Sequence, residues 1–410
     1  MPIMRRPPKD SSHTLPIDTV TLMLSTHCNL ACPYCYADGG SYGQSGHLMA
    51  PETACRALDL LLAELPGVRT IKLFGGEPLM NPEALASICH YVRGVNDRRL
   101  LIGLSTNGTL ITEEIVDLLN EHRVATSISL DGPRIPTDRL RVDKTRRSVY
   151  NTIISGIHTA ARRQMTFAIE ATYTGAHIER SVSILDVVKF LNGFTSTVKV
   201  QPVMMCESPG LMIQDLETLR EYTEEYAHRV LDLLAREDYH PGDSLYENFV
   251  IRCMLNIVLG LRQSESICQI TRNITVFPNG DLCPCYLFKD ESMGNIFRSP
   301  FAHPEFFQTW KRVQSAARAE NYLRIHKSRL WYRPLIGDIC LGELMYPTRR
   351  LGASPSLSPH LDLFYDTLGR VVVERMLELQ EDGASRTIVT DNLLRLHAST
   401  LRWLNPHDGS

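Results

Sequence analysis

The sequence predicts an α/β fold built on a parallel sheet, open or curled into a partial barrel. Two patterns carry that reading. Six β-rich runs alternate with helical patterns between residues 17 and 203, and apolar residues in the helical stretches recur at three- and four-residue spacing. Such alternation favours parallel strands joined by right-handed crossovers. A third observation locates a site: the chemically distinctive residues fall at the ends of the β-rich runs, where folds of this class bind ligands.

In chain order the predicted strands are "TVTLMLS", "RTIKLFG", "LLIGLST", "ATSISLD", "FAIEATYT" and "TVKVQPVM". The helices between them are "PETACRALDLLLAELPG", "NPEALASICHYVRGV", "TEEIVDLLNEHRV", "RSVYNTIISGIHTAARR" and "HIERSVSILDVVKFLNGF". Pro51, Pro82 and Thr112 with two glutamates behind it mark helix starts. Residues 212–265 read as helical, "NITVFPNGDLCPCYL" reads as a hairpin turning at "PNG", and the last 65 residues hold an irregular stretch and two helices.

The 410 residues allow about two to three domains. With 43% hydrophobic and 22% charged residues the composition is globular, and the net charge of −3 gives no global field for nucleic acid or an anionic membrane. No apolar run reaches the ~18–20 residues that span a bilayer, and the N-terminus lacks the apolar core of a secretory signal, so a cytoplasmic protein is expected. In a reducing compartment the eleven cysteines point to metal or catalytic roles before disulfides. Cys55 and Cys89 lie in helical patterns and read as buried small hydrophobes. The others cluster near the front and after the middle, which suggests two metal-bearing regions.

The first region, "STHCNLACPYCYADGG", follows the first strand and holds Cys28, Cys32 and Cys35 as C-x3-C-x2-C. Three thiolates suit a cubane iron–sulfur cluster with one iron left open. Zinc would need a fourth ligand, and a C-x2-C thiol redox pair does not account for the third cysteine. "GGEP" (Gly75, Gly76, Glu77, Pro78) follows the second strand, "STNG" closes the third and "SLDG" the fourth. Glu170 lies on the fifth strand and Gln201 on the sixth.

C-x3-C-x-aromatic-C after a first strand, with "GGEP" after the second, resembles the radical S-adenosylmethionine superfamily over about residues 17–210. The resemblance implies a partial (β/α)6 barrel. It also implies a [4Fe-4S] cluster held by Cys28, Cys32 and Cys35, whose open iron chelates S-adenosylmethionine and whose electron yields a 5′-deoxyadenosyl radical. Tyr34 would then lie near the adenine. Gly75 and Gly76 would let backbone approach the methionine amino group, with Glu77 accepting from it. Ser105 and Asn107 would serve the methionine or ribose, Ser129 and Asp131 the ribose or carboxylate. Arg141 matches the arginine that pairs with the methionine carboxylate in peptide-modifying relatives; its neighbour Arg139 divides evenly between that role and a solvated charge run.

The second region runs Cys268-x11-Gly280-x4-Cys285, followed by "MGNI", and resembles the auxiliary-cluster SPASM or Twitch domain. Cys340 is the expected third ligand and Cys253 the fourth, with Cys283 and Cys206 as rivals. One cysteine stands near 340 where the full pattern has four, so one auxiliary [4Fe-4S] cluster is expected, with zinc at the same cysteines as the alternative. The expected organisation is an N-terminal tail (1–16), the barrel (17–210), a helical connection (211–265), an auxiliary-cluster domain of hairpin plus helices (266–345) and a C-terminal helical extension (346–410).

The SPASM/Twitch branch mainly modifies ribosomally made peptides, so the resemblance implies a maturase that crosslinks, epimerises or oxidises a precursor peptide. With ~16 residues before the first strand, a separate leader-recognition protein is a possible partner, and a flavodoxin or ferredoxin is the expected reductant. The alternatives are radical chemistry on a small molecule such as an aminoglycoside or other sugar, and a non-catalytic iron–sulfur scaffold.

Overall fold

A computed structural model describes residues 15–43, 45–94, 100–204, 208–240, 248–258, 269–327 and 358–404. The strands are β1 (Thr19–Ser25), β2 (Thr70–Gly75), β3 (Leu101–Thr106), β4 (Ala125–Ser129), β5 (Phe167–Tyr173) and β6 (Val198–Pro202). Between them run α1 (Pro51–Glu64), α2 (Pro82–Gly94), α3 (Glu113–Glu121), α4 (Arg134–Leu140), α5 (Tyr150–Arg162), α6 (Gly175–Ile178) and α7 (Ile184–Leu191). All six strands pair in parallel with their sequence neighbours, giving the predicted α/β partial barrel. Thr112 caps α3 by accepting from the Ile115 N–H at 3.3 Å.

Alternation along the strands sorts the two faces. Ile71, Leu73, Ile102, Leu104, Ile128 and Ile169 point outward into the main core beneath the helices. Burying such a side chain contributes about 1.5–3 kcal/mol each. Lys72, Gly103, Ser105, Ser127, Ser129, Glu170, Thr172, Lys199 and Gln201 occupy the alternate positions and form a polar concave face. Glu170 is exposed although it lies mid-strand, because the concave side is open.

The chain continues through α8 (Leu216–Leu234), α9 (Asn248–Val258), β7 (Asn273–Val276), β8 (Leu282–Cys283), α10 (Pro304–Lys327), α11 (Pro359–Glu381) and α12 (Gly383–Leu404). The hairpin predicted from "PNG" is present, with β7 antiparallel to β8. It does not stand apart from the barrel: β7 pairs in parallel with β1, so one sheet runs β6-β5-β4-β3-β2-β1-β7-β8. All seven residues of β1 are buried, and an uncovered edge there would leave a row of unpaired backbone groups. Thr21 donates to Asn273 Oδ1 across the new seam at 2.8 Å.

The C-terminal helices are likewise part of the main core. Leu361, Phe364, Leu368 and Val372 of α11 bury with Tyr226 and Val230 of α8. His360 bonds the Val203 carbonyl at 2.7 Å, and the Gln201 amide donates to Tyr365 Oη at 3.3 Å, so α11 is fastened to the end of β6. Among the described residues, no helix is long and apolar enough to cross a membrane.

Candidate functional site

At the carboxyl end of β1 the chain turns into the cysteine loop. The Ser25 hydroxyl closes the turn, accepting from the His27 N–H at 2.9 Å. Cys28, Cys32 and Cys35 are free and each half-buried. Burial pushes the Cys28 thiol up to about 11 and the Cys32 thiol up to about 12, with Arg141 pulling the latter back. Without metal, Cys28 and Cys32 are therefore protonated at neutral pH, and iron binding must expel those protons. Two donors already address the Cys28 sulfur, the Leu30 N–H at 3.4 Å and the Asn107 amide at 3.7 Å.

Among the described residues no three His, Cys, Asp or Glu side chains converge to hold a single metal ion. A cubane makes a different demand, since each thiolate takes its own iron and the sulfurs ring the cluster. Three thiols on one loop, with N–H donors aimed at the Cys28 sulfur and, among the described residues, no fourth ligand converging on them, fit a cluster better than zinc.

The glycines of "GGEP" serve the chain itself. Gly75 has φ +146, and a Cβ there would lie 2.2 Å from the Ser25 carbonyl oxygen; at Gly76 it would lie 2.1 Å from that of His27. The Gly76 and Glu77 N–H groups donate to those same carbonyls at 2.8 Å each, so the double glycine clamps the base of the cysteine loop. Gly40 returns from the other side, where a Cβ would lie 2.2 Å from Gly76 Cα and 3.2 Å from Cys28 Cβ. This cradle has no room for side chains at three places around Cys28.

Glu77 is fully buried. Its Oε1 accepts from the Leu79 N–H at 2.9 Å and the Thr106 hydroxyl at 2.7 Å, and its Oε2 from the Asn107 N–H at 2.7 Å. Burial raises its carboxyl to about 7 against the pull of those donors. Glu77 thus ties the end of β2 to the end of β3 and sets Asn107, whose amide also reaches Asn29 Oδ1 at 2.9 Å. Ser105 and Ser129 stand half-buried on the concave face at adjoining strand ends.

Asp131 is the hub of the opposite wall. Its Oδ2 accepts from Tyr34 Oη at 2.7 Å and Arg141 Nε at 3.0 Å; its Oδ1 accepts from Arg141 Nη2 at 2.8 Å and the Thr172 N–H at 3.0 Å. Burial pushes the Tyr34 phenol up, so it donates as a neutral group. The Arg141 guanidinium sits 5.6 Å above the Tyr34 ring. Arg141 is buried whereas Arg139 is exposed and faces Glu179 at 3.9 Å, so of the two readings the sequence left even for Arg139 the structure favours the solvated charge.

Sequence reasoning missed His177, which is fully buried behind Asp131. Its Nδ1 must accept, because the Thr174 N–H donates to it at 3.0 Å, so Nε2 carries the proton and donates to the Asp131 carbonyl at 2.8 Å. Burial lowers its pKa and keeps it neutral. The signal was a Thr174-x-x-His177 capping box.

Of the second cysteine region, Cys206, Cys268 and Cys340 lie outside the described residues. Cys285 is half-buried at the end of the hairpin. Cys283 is buried, its thiol donating to the Cys285 carbonyl at 3.1 Å. Cys253 lies on α9 inside the main core. The two cysteine regions do meet: Tyr36, next to Cys35, stacks on Tyr286, next to Cys285, with 6.4 Å between centroids, and Phe74 stacks on the same ring at 4.7 Å.

Residues 22–191 match the model of the radical SAM superfamily. This segment is a radical SAM superfamily domain. An uncharacterized protein of Methanocaldococcus jannaschii is 29% identical over 174 residues, 42% of this chain and 58% of that protein. A probable GTP 3′,8-cyclase of Methanothermobacter marburgensis is 25% identical over 293 residues, 68% of this chain and 87% of that protein. Among solved structures, anSMEcpe with bound AdoMet superposes with a TM-score of 0.72 at 17% identity, covering 93% of this chain and 98% of that one. SuiB of Streptococcus suis gives 0.51 at 16% identity, covering 83% and 76%. At these identities the structural likeness is one of fold. For the matched segment, the radical SAM domain implies a [4Fe-4S] cluster and S-adenosylmethionine.

Proposed function

We propose that the protein is a radical SAM enzyme that abstracts hydrogen from a ribosomally made peptide, as a maturase. The observation that carries the radical chemistry is the cysteine loop, cradled by Gly40, Gly75 and Gly76 at the carboxyl mouth of the sheet. When bound, the cluster and S-adenosylmethionine supply a strong hydrogen-abstracting radical. Cys28, Cys32 and Cys35 would hold the cluster, and Asn107 would steady the Cys28 sulfur. Ser105 and Ser129 offer hydroxyls at the mouth for the methionine and ribose. Asp131 and Tyr34 orient Arg141, whose remaining guanidinium N–H groups would meet a carboxylate.

Support for a peptide substrate comes from the resemblance in the second cysteine region and from fold likeness to anSMEcpe, which also superposes in complex with the Cp18Cys peptide at a TM-score of 0.68. Cys285, with Cys268, Cys340 and Cys253, would carry one auxiliary [4Fe-4S] cluster, and the stacked Tyr36 and Tyr286 would join the two regions. A second reading takes a small molecule, a sugar such as an aminoglycoside or, in particular, an anionic nucleotide. It is favoured by the GTP 3′,8-cyclase relative and by Lys72 and Lys199, which flank Glu170 on the concave face.

The discriminating experiment presents the reconstituted, reduced protein with short peptides encoded beside its gene, and separately with nucleotides and aminoglycosides. The peptide reading expects 5′-deoxyadenosine formation and a mass change in the peptide. Turnover with the small molecules alone would overturn it. About eight irons per chain would support the auxiliary cluster, and about four would remove it.

A further inference from the structure

The segment after Arg141 has no role in the site just described, yet it is built against the cysteine loop. Val142 pairs with Ser148 in a tight antiparallel turn. The Asp143 carboxylate holds that turn, its Oδ1 accepting from the Thr145 N–H and hydroxyl at 2.7 Å each and from the Arg147 N–H at 3.0 Å. Arg146 is at φ +65, a left-handed conformation uncommon for a residue other than glycine. The turn is fastened to the cysteine loop by the antiparallel Leu30–Asp143 bridge, in which the Ala31 N–H donates to the Val142 carbonyl at 2.8 Å.

The turn therefore sets Lys144 and Arg146, both exposed, on the rim of a cavity of about 490 Å³ whose wall includes Cys32 and Cys35. Asp38 is the one carboxylate among the described residues lining it. A net positive rim on a chain of net charge −3 is a local feature of this surface.

We propose that this rim is the docking surface for an acidic one-electron carrier protein. The inference rests on the reading of Cys28, Cys32 and Cys35 as cluster ligands. One electron leaves the carrier's reduced flavin or iron–sulfur centre, which is oxidised, and enters the cluster, which is reduced; no bond is made or broken. Lys144 and Arg146 steer the acidic face of the carrier toward the Cys32–Cys35 wall, which shortens the path for the electron. Complementary charge of this kind raises the association rate and weakens with salt.

The test uses a reduced flavodoxin as the probe and two measurements on the full chain. Titration calorimetry gives carrier affinity at low and high salt, for the cluster-loaded and the cluster-free protein. Stopped-flow bleaching of the cluster absorbance gives the rate of reduction by flavodoxin and, separately, by dithionite. The K144E/R146E variant should bind flavodoxin about ten-fold or more weaker at low salt and be reduced by it correspondingly slower. Its reduction by dithionite should match the wild type, and Arg139→Glu, away from the cavity, should change neither affinity nor rate.

Equal affinity and equal flavodoxin rate in wild type and K144E/R146E would overturn the proposal. So would an equal loss in Arg139→Glu, which would mark a net-charge effect, or slowed dithionite reduction, which would mark damage to the cysteine loop. The neutral K144Q/R146Q variant keeps the test sharp if charge reversal impairs folding, since it should fall between the two. An unchanged carrier rate with weaker binding of an acidic substrate peptide would give the surface to the peptide instead. Failure of the wild type to load a cluster at all would sink the underlying reading rather than the docking surface.

Discussion

Replacing Asp131 by asparagine keeps the shape of the side chain and removes its charge, so it isolates what the carboxylate contributes. Asp131 is fully buried and takes four hydrogen bonds, from Tyr34, twice from Arg141, and from the Thr172 N–H. An amide has one acceptor oxygen in place of two, so at least one buried donor loses its partner, at about 1–3 kcal/mol each. Arg141 is also left as a buried cation without a counter-charge. Breaking a buried pair from one side costs about 3–5 kcal/mol, and Asp131→Asn should destabilise the cluster-free protein by that much. Exposed Arg139, 3.9 Å from Glu179, gives the contrast: Arg139→Ala should cost no more than about 0.5 kcal/mol.

Denaturant unfolding followed by circular dichroism measures the change, and hydrogen exchange of the Thr172 amide reports whether the loss is local. Replacing Asp131 and Arg141 together by leucines should cost less than the sum of the two single replacements, because no charge is stranded. A cost below about 1 kcal/mol for Asp131→Asn, or strict additivity in the double variant, would refute the view that this pair is desolvated and holds the wall of the site.

Three further outcomes follow from the same geometry. Gly76→Ala puts a methyl 2.1 Å from the His27 carbonyl oxygen; it should cost about 1–3 kcal/mol and lower the iron retained after reconstitution, read by unfolding and iron assay. Asn81→Ala removes the amide that donates to the Leu24 carbonyl at 2.9 Å and the Met49 carbonyl at 2.8 Å, and should cost about 1–3 kcal/mol in the same unfolding assay. Glu77 has its carboxyl raised from 4.5 to about 7, so the folded state holds that proton more tightly than the unfolded chain. Its stabilising contribution is then complete below about pH 4.5 and is lost as pH rises through about 7, by at most about 3 kcal/mol at ~1.4 kcal/mol per pH step. Unfolding midpoints between pH 4 and 8 should fall more steeply in wild type than in Glu77→Gln, and a wild-type profile that rises relative to the variant would contradict the shift.

Much of the barrel was legible because its signals are local. Alternation in "TIKLFG" and "LIGLST", proline and threonine at helix starts, and "PNG" in the hairpin each act over a few residues. The cysteine triplet and "GGEP" were legible as chemistry, but the reason for the glycines was not. Gly75 and Gly76 are demanded by the backbone of Ser25–Cys28, which lies fifty residues away in sequence. The pairing of β7 with β1 was hidden in the same way, since the partners are about 250 residues apart and no periodicity announces the contact. Asp131 read as a cofactor contact because its strand-end position is that of a ligand-binding group. Only the fold reveals that Tyr34, Arg141 and Thr172 occupy its oxygens and that His177 backs its carbonyl.

The central claim is that Cys28, Cys32 and Cys35 form the working centre of a radical SAM site. The direct measurement is 5′-deoxyadenosine released from S-adenosylmethionine by the anaerobically reconstituted protein under dithionite. The wild type should carry the cluster and release the nucleoside, and Cys28→Ala, Cys32→Ala and Cys35→Ala should each release none. A wild type that holds its iron and sulfide yet forms no 5′-deoxyadenosine with any substrate offered, or a cysteine variant that forms as much as the wild type, would contradict the account.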